Sequence, residues 1–435
     1  MDNYFGKDST LRKIDEADVV VVGAGPAGVS AAISAGRMGA DVILIEQNET
    51  VGGVSTIGYM SHFAGKVSSR LYDEILMRQS RMEGRKDKSI SLETINPEIL
   101  KVVYLKMLIE AGVKLRLYTF VSDVICEDEE VKGLIVETKS GRGVIYAKTI
   151  VDCSGDGDVA AKAGAEYCLG RENDGKMQPA TLMFKVAGVD YSRAVFPCSF
   201  ESYINTEKGE LQHLAKEHLK FPMGHVLLYK TSLPGVVTCN MTNSIAVDGT
   251  KSEDLTKADV QCRLQIYEIE AFLREYVPGY EHCFVIGSAS FLGVRETRHF
   301  LGEYILNEDD VYQARYFEDW IVKDAYFNFD VHNLTGGGMD KTGVQENFKQ
   351  LKGYTIPYRC LIPKSLKNVL LAGRCISGTH MAHSNYRVMP ICVAMGESAG
   401  IAAVIASRRN GVVRAVEAKE IQEILLGNTV QNAVG

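Results

Sequence analysis

A glycine-spaced turn between a buried strand and a helix limits what this chain can fold into more than any other feature. Asp18–Val22 holds four consecutive valines, the pattern of a strand covered on both faces. Gly23, Gly25 and Gly28 follow in G-x-G-x-x-G spacing, then a helical stretch through Ala32 to Gly39. A second apolar run, Asp41–Ile45, ends at Glu46. Each glycine has its own task. Gly23 permits the tight turn, Gly25 lets the backbone approach a pyrophosphate, and Gly28 lets the helix pack closely on the strand. The helix start offers free N–H groups and roughly half a positive charge to phosphates. Glu46 stands where a carboxylate accepts both hydroxyls of an adenosine ribose, and it would repel a 2′-phosphate. The strand–turn–helix–strand–acid order points to a dinucleotide and leaves NAD and FAD as candidates.

Three further segments favour FAD. Gly52-Gly53 lets the backbone pass close to a longer cofactor soon after the ribose acid. Short alternating runs at Lys114–Tyr118, Val121–Cys126, Lys132–Glu137 and Val144–Asp152 read as a β-meander inserted in the sheet. The last run leads into Cys153-Ser154-Gly155-Asp156-Gly157-Asp158. Downstream, the buried run Asn368–Leu371 ends at Ala372-Gly373-Arg374-Cys375, and a long apolar helix begins near Pro390. Its positive end suits the anion formed when a flavin is reduced. Gly155–Ala160 imitates a second G-x-G-x-x-A site, but Asp156 and Asp158 oppose a pyrophosphate there.

At GAGPAGVSAAISAGRMGADVILIE, VGGVST, VDCSGDGDVAAKAGA, GVRETRHFLGEYILNEDDV, IPYRCLIPK and LLAGRCISGTHMAHSNYRVMPICVAMGESAGIAA, the chain resembles the FAD-dependent oxidoreductases distantly related to fumarate-reductase-type flavoproteins. The resemblance implies two lobes with tightly bound FAD, its ring between them. Carried over by position, it places Gly23, Ala24, Gly25, Ala27, Gly28, Glu46, Gln47, Gly53, Val121, Ser154, Asp156, Gly373, Arg374, Met389 and Ile391 on the cofactor. The loop Thr379–Arg387 departs from the family's usual T-H-E-A-H at Met381, and from the small residues that usually follow it at Asn385 and Tyr386.

Residues from about Ala165 to Gly287 carry no cofactor motif and read as a substrate lobe. They include strand-like pieces at Thr181–Val186 and Val236–Met241 and an amphipathic helix, Glu253–Tyr276, with Ser252 as its candidate N-cap. Chemistry-bearing residues follow. Arg295, Arg298 and His299 share one segment, and His332 precedes Gly336-Gly337-Gly338. Tyr358 and Arg359 come next, then His380, His383 and Arg387 before the Pro390 helix. A flavin enzyme needs a proton-transfer group and cations that orient substrate. His332, His380 or His383 suits the first task, and Arg295 and Arg387 the second. Arg295 and Arg298 can instead form inter-lobe salt bridges with Glu296, Glu303 or another carboxylate, and His332 can cap the glycine turn. His380 and His383 have metal-compatible spacing, but no neighbouring Cys or carboxylate completes a set, so no metal is expected. Cys375 and Cys392 read as small buried hydrophobes.

The expected fold is α/β: a Rossmann-like FAD-binding domain with an inserted β-meander, plus a mixed α+β substrate domain. The expected division is 1–164 and 366–435 for FAD, and 165–365 for substrate. With 48 Lys and Arg against 55 Asp and Glu, no nucleic-acid partner is expected. Ten cysteines without a Cys-x-x-Cys pair argue against disulfide and cluster frameworks. The charged Met1–Glu16 stretch does not read as a signal peptide, nor Pro390–Ala406 as a bilayer span, so the expected location is the cytoplasm. The expected activity is hydride transfer between FAD and a small organic substrate held between two lobes. The alternatives are a flavoprotein subunit passing electrons to a redox partner protein, and a flavin-dependent RNA-modifying protein. Oligomeric state stays open.

Overall fold

The valine run lies within β1 (Lys13–Val22), followed by α1 (Pro26–Arg37) and β2 (Val42–Ile45) in a computed structural model that describes residues 11–86, 90–341 and 350–427. β1 and β2 pair in parallel, with Val22 opposite Ile45. The chain continues through β3 (Lys66–Ser68), α2 (Arg70–Glu83) and α3 (Pro97–Glu110), which Asn96 caps by accepting from the Ile99 N–H. Next come β4 (Lys114–Arg116), β5 (Thr119–Glu127), β6 (Glu130–Thr138), β7 (Gly141–Asp152) and the short α4 (Asp158–Lys162). Residues 1–10, part of the charged N-terminal stretch read above, lie outside the described residues.

The middle of the chain contains β8 (Tyr167–Leu169), β9 (Phe184–Ala187), the small hairpin β10 (Asn205–Thr206) and β11 (Gly209–Glu210), and α5 (Leu211–His218). Then follow β12 (Leu228–Lys230), β13 (Val237–Cys239), α6 (Ser252–Tyr276), β14 (Phe284–Ser288) and β15 (Arg298–Phe300). After these come α7 (Glu308–Tyr312), β16 (Trp320–Tyr326), β17 (Tyr354–Pro357) and β18 (Val369–Leu371). The chain closes with α8 (His380–Tyr386), α9 (Met389–Ser407) and α10 (Ala418–Leu425).

The main sheet runs β4-β2-β1-β7-β6-β5, with β18 also on β7. β7 is long enough to serve two partners on one side. Its first half pairs antiparallel with β6, while Ile150–Asp152 pair in parallel with β18. Its other side pairs in parallel with β1. The meander is therefore β5-β6-β7, and Lys114–Tyr118 does not belong to it. That run supplies β4, parallel to β2, because α3 intervenes as the crossover a parallel pair requires. A second sheet, β12-β13-β9-β14, is antiparallel and packs with α6. One apolar core draws on residues 17–165 and 300–421, the other on 180–292. Residues 300–365, grouped with the substrate lobe from sequence, thus pack on the nucleotide lobe's core.

α6 begins one residue earlier than expected, and Ser252 is its first helical residue rather than its cap. Glu253 and Asp254 in the first turn complement the helix dipole instead. α9 is long and apolar enough to cross a membrane, but 94% of its most apolar stretch is buried inside the protein. Gly396 and Gly400 let it lie against α1: a Cβ there would come within 2.0 Å of Ala27 O and 2.2 Å of Ala31 O. Because 396 faces 27 and 400 faces 31, the two helices run parallel. α9 therefore starts roughly 10 Å beyond α1 at the same end of the sheet.

Candidate active site

The turn after β1 has the geometry its spacing predicts. Gly23 has φ +91° and donates its N–H to Ile45 O at 2.8 Å. A Cβ on Gly28 would sit 1.7 Å from Gly23 O, so only glycine permits this approach. The position over Gly25 is open, with no atom within 4 Å of where a Cβ would be. The Gly52–Gly53 crossing closes one side: Gly52 N–H donates to Ala24 O at 2.7 Å, and a Cβ on Gly53 would meet Gly25 Cα at 3.1 Å. Glu46 is buried and accepts from Ala24 N–H at 2.7 Å and Asn48 N–H at 2.9 Å, with Gln47 exposed beside it. Thr119 N–H donates to Glu46 O, which brings buried Val121 to the same edge.

At the same end of the sheet, where β7 ends opposite Val22, Asp152 accepts from the N–H and O–H of Ser154 and from Ala160 N–H. Burial pushes its carboxyl up to about 6. Asp156 accepts from Thr297 at 2.6 Å and pairs with Arg374 at 2.9 Å. Arg374 follows Gly373, whose Cβ would face Ala27 at 3.2 Å. Arg298 donates to Asp156 O and pairs with Asp158, so it fastens the Asp156 loop, and the carboxylate it meets is neither Glu296 nor Glu303 but the other one the salt-bridge reading left open. Met389 and Ile391 occupy the buried first turn of α9.

Beside that turn the chain assembles a charged cluster. Arg387 caps the end of α8 and donates to Asp330 O at 2.8 Å and Asp330 Oδ2 at 2.9 Å. Arg295 is buried and donates to Pro179 O and, at 2.9 Å, to Thr181 Oγ1. Burial, reinforced by Arg387, lowers the Arg295 pKa to about 10, which leaves it cationic at neutral pH. Burial works to raise the Asp330 carboxyl, but His332, Arg387 and Arg295 outweigh it and hold the group well below the usual carboxylate range. His332 Nε2 lies 3.5 Å from Asp330 Oδ1, and its ring packs edge-on against Phe200, as does His225. Burial and Arg295 lower the His332 pKa to about 4. Its backbone also bridges to Met339 to close the glycine turn, so His332 has both a ring facing inward and a structural role.

His380 and His383 belong to a neighbouring network around Glu296, which is fully buried. Glu296 Oε1 lies 2.6 Å from His380 Nδ1 and 2.8 Å from His299 Nε2, and Oε2 accepts from Gln178 N–H at 3.0 Å. Burial opposes ionisation of Glu296, yet hydrogen bonds from His299 and His380 prevail and hold it ionised. Burial drives the His383 pKa well below its ordinary value. Tyr358 donates to Val413 O and Arg359 pairs with Asp319, so both brace the scaffold. Asn385 and Tyr386 do likewise, with bonds to Tyr354 and to Ile376 O.

Residues 18–425 match the sequence profile of the FAD dependent oxidoreductases. The chain belongs to that family. Among individual proteins, thiamine thiazole synthase of Aeropyrum pernix is 32% identical over 144 residues, 33% of this chain and 52% of that protein. The chain thus spans about half the length of this curated relative. A tRNA uridine 5-carboxymethylaminomethyl modification enzyme of Dichelobacter nodosus is 31% identical over 157 residues, 32% of this chain and 24% of that enzyme. A geranylgeranyl bacteriochlorophyll reductase-like protein of Thermoplasma acidophilum shares the fold with a TM-score of 0.50 and 12% identity, over 95% of this chain and 84% of that one.

The residues of this FAD-dependent oxidoreductase fit its cofactor. The position over Gly25 is open on the side a pyrophosphate would take, and the buried Arg374 Nη1 has no partner among the described residues. Asp330, Glu296, Gln178 and His225 also line or support the cluster; from sequence only Glu296 was named, and then as a salt-bridge partner rather than a site residue. Asp330 and Glu296 lie inside segments that attracted notice for their His and Arg residues. Gln178 and His225 come from stretches with no motif, and only the fold brings them here.

Proposed function

We propose that the chain catalyses the two-electron oxidation or reduction of a small organic anion held between its lobes. The observation that carries this reading is the charge balance at Arg387. Two guanidiniums, Arg295 and Arg387, meet one carboxylate, Asp330, while His332 stays neutral, which leaves one uncompensated positive charge. Arg387 Nε and Gln178 Nε2 are buried donors with no partner among the described residues. A carboxylate on the substrate would satisfy donors of this kind and the charge together. Bound FAD supplies the two-electron acceptor or donor. His332 is a proton acceptor at neutral pH, suited to taking a proton from a substrate hydroxyl or amine. Asp330 steadies the imidazolium that results.

Titration of the holoprotein with short mono- and dicarboxylates checks this directly. The flavin spectrum should be perturbed saturably, with Kd weakened about tenfold or more in Arg387→Met. Equal response to the corresponding neutral amides would count against it.

A further inference from the structure

The Glu296 network contains an arrangement that proton sharing alone does not complete. His299 Nδ1 lies 3.0 Å from Gly378 O, which can only accept, so Nδ1 carries a hydrogen; in the neutral ring Nε2 is then a lone pair, and only a second proton lets it donate to Glu296. That lone pair sits 2.8 Å from Glu296 Oε1, a second acceptor. Two acceptors this close need a cation, either a proton or a metal ion. A proton would serve this pair and leave the buried His383 Nδ1 with no partner among the described residues. A metal ion serves all three: one donor atom from each of Glu296, His299 and His383 lies within 4.8 Å of the others. Ligands at about 2.0–2.2 Å from one ion are spaced on that scale after modest closing.

We propose that Glu296, His299 and His383 bind a divalent transition-metal ion. Two imidazoles and a carboxylate suit zinc, iron, cobalt or manganese, whereas calcium and magnesium prefer oxygen-only sets. The supporting bonds are those that metal ligands ordinarily carry. His299 is oriented through Nδ1–H to Gly378 O, and the carboxylate accepts from His380 Nδ1 at 2.6 Å and from Gln178 N–H. The His380-x-x-His383 spacing is misleading, because α8 directs only His383 to this triad and leaves His380 to support Glu296. Three protein ligands leave a coordination position open. The proposal does not rest on the substrate reading above.

The test is elemental analysis of the holoprotein, prepared without chelator and reloaded in turn with Zn2+, Fe2+, Co2+ and Mn2+, against FAD content. Wild type should retain about one equivalent of at least one metal after gel filtration. His383→Asn and Glu296→Gln should retain less than about a tenth. FAD content of His383→Asn should stay near wild type and its thermal midpoint near that of chelator-stripped wild type, which separates lost ligation from lost folding. If Glu296→Gln fails to fold, His299→Asn takes its place. Less than about a tenth of an equivalent of every metal in FAD-loaded wild type would overturn the proposal, as would full retention by the folded variants.

Discussion

His332 and Arg387 show how burial selects roles that residue type alone leaves open. An exposed imidazole is half-protonated near pH 6.5, but His332 titrates at about 4 because burial and Arg295 oppose its charge. It is therefore poised to accept a proton across the neutral range. Replacing it by glutamine should lower turnover roughly 10²- to 10⁴-fold with FAD content unchanged, measured by steady-state kinetics. The wild-type rate should persist as pH falls through 6 and be lost only near the folded pKa of about 4. A rate that titrates near 6.5 would assign the proton to a different group. His332 and Arg387 were visible in sequence as residue types near a glycine turn and a helix start. Asp330, which couples them, drew no notice because an acid beside a turn is commonplace.

Among the elements, the α1–α9 seam decides where the starts of these two helices lie. Gly396 and Gly400 sit against the Ala27 and Ala31 carbonyls, so any side chain there pushes the helices apart. Gly396→Val should destabilise the fold by about 1–3 kcal/mol, read from chemical unfolding, and should lower flavin occupancy as both helix starts shift. Unchanged occupancy would show that the seam does not set the site. The helix itself was legible from Pro390 and the apolar run after it, and β1, β2 and β18 were legible from their valine- and leucine-rich cores. What stayed hidden was partnership. The short run Lys114–Tyr118 carries nothing that distinguishes a meander strand from β4, and only the α3 crossover resolves the choice. Ser252 is an N-cap residue type with no capping bond, because the helix starts on it.

At the scale of the whole molecule, buried histidines make the folded state sensitive to acid. His62, His225 and His332 have folded pKa values of about 4, 3 and 4, each lowered chiefly by burial from 6.5. The unfolded chain therefore binds protons first as pH falls. The stability these groups contribute is complete above 6.5 and is lost progressively toward their folded values. Asp152, raised to about 6, acts the other way: its contribution is present below 3.8 and lost as pH rises through 6. Together with His383, which burial lowers further, the histidines outweigh Asp152 and Glu397, whose carboxyls burial raises, and acidification brings a net loss. Thermal midpoints should fall between pH 7 and pH 5, and His225→Gln should flatten that slope. In the proposed reaction an anion held by Arg295 and Arg387 exchanges electrons with FAD on this scaffold. Anaerobic flavin absorbance, followed as small organic anions are added to oxidised and to reduced holoprotein, tests it most directly. We expect complete bleaching or reoxidation by at least one anion, at a rate at least tenfold slower in FAD-loaded Arg387→Met. Equal rates in wild type and Arg387→Met, or equal rates with the neutral ester of the same compound, would contradict it.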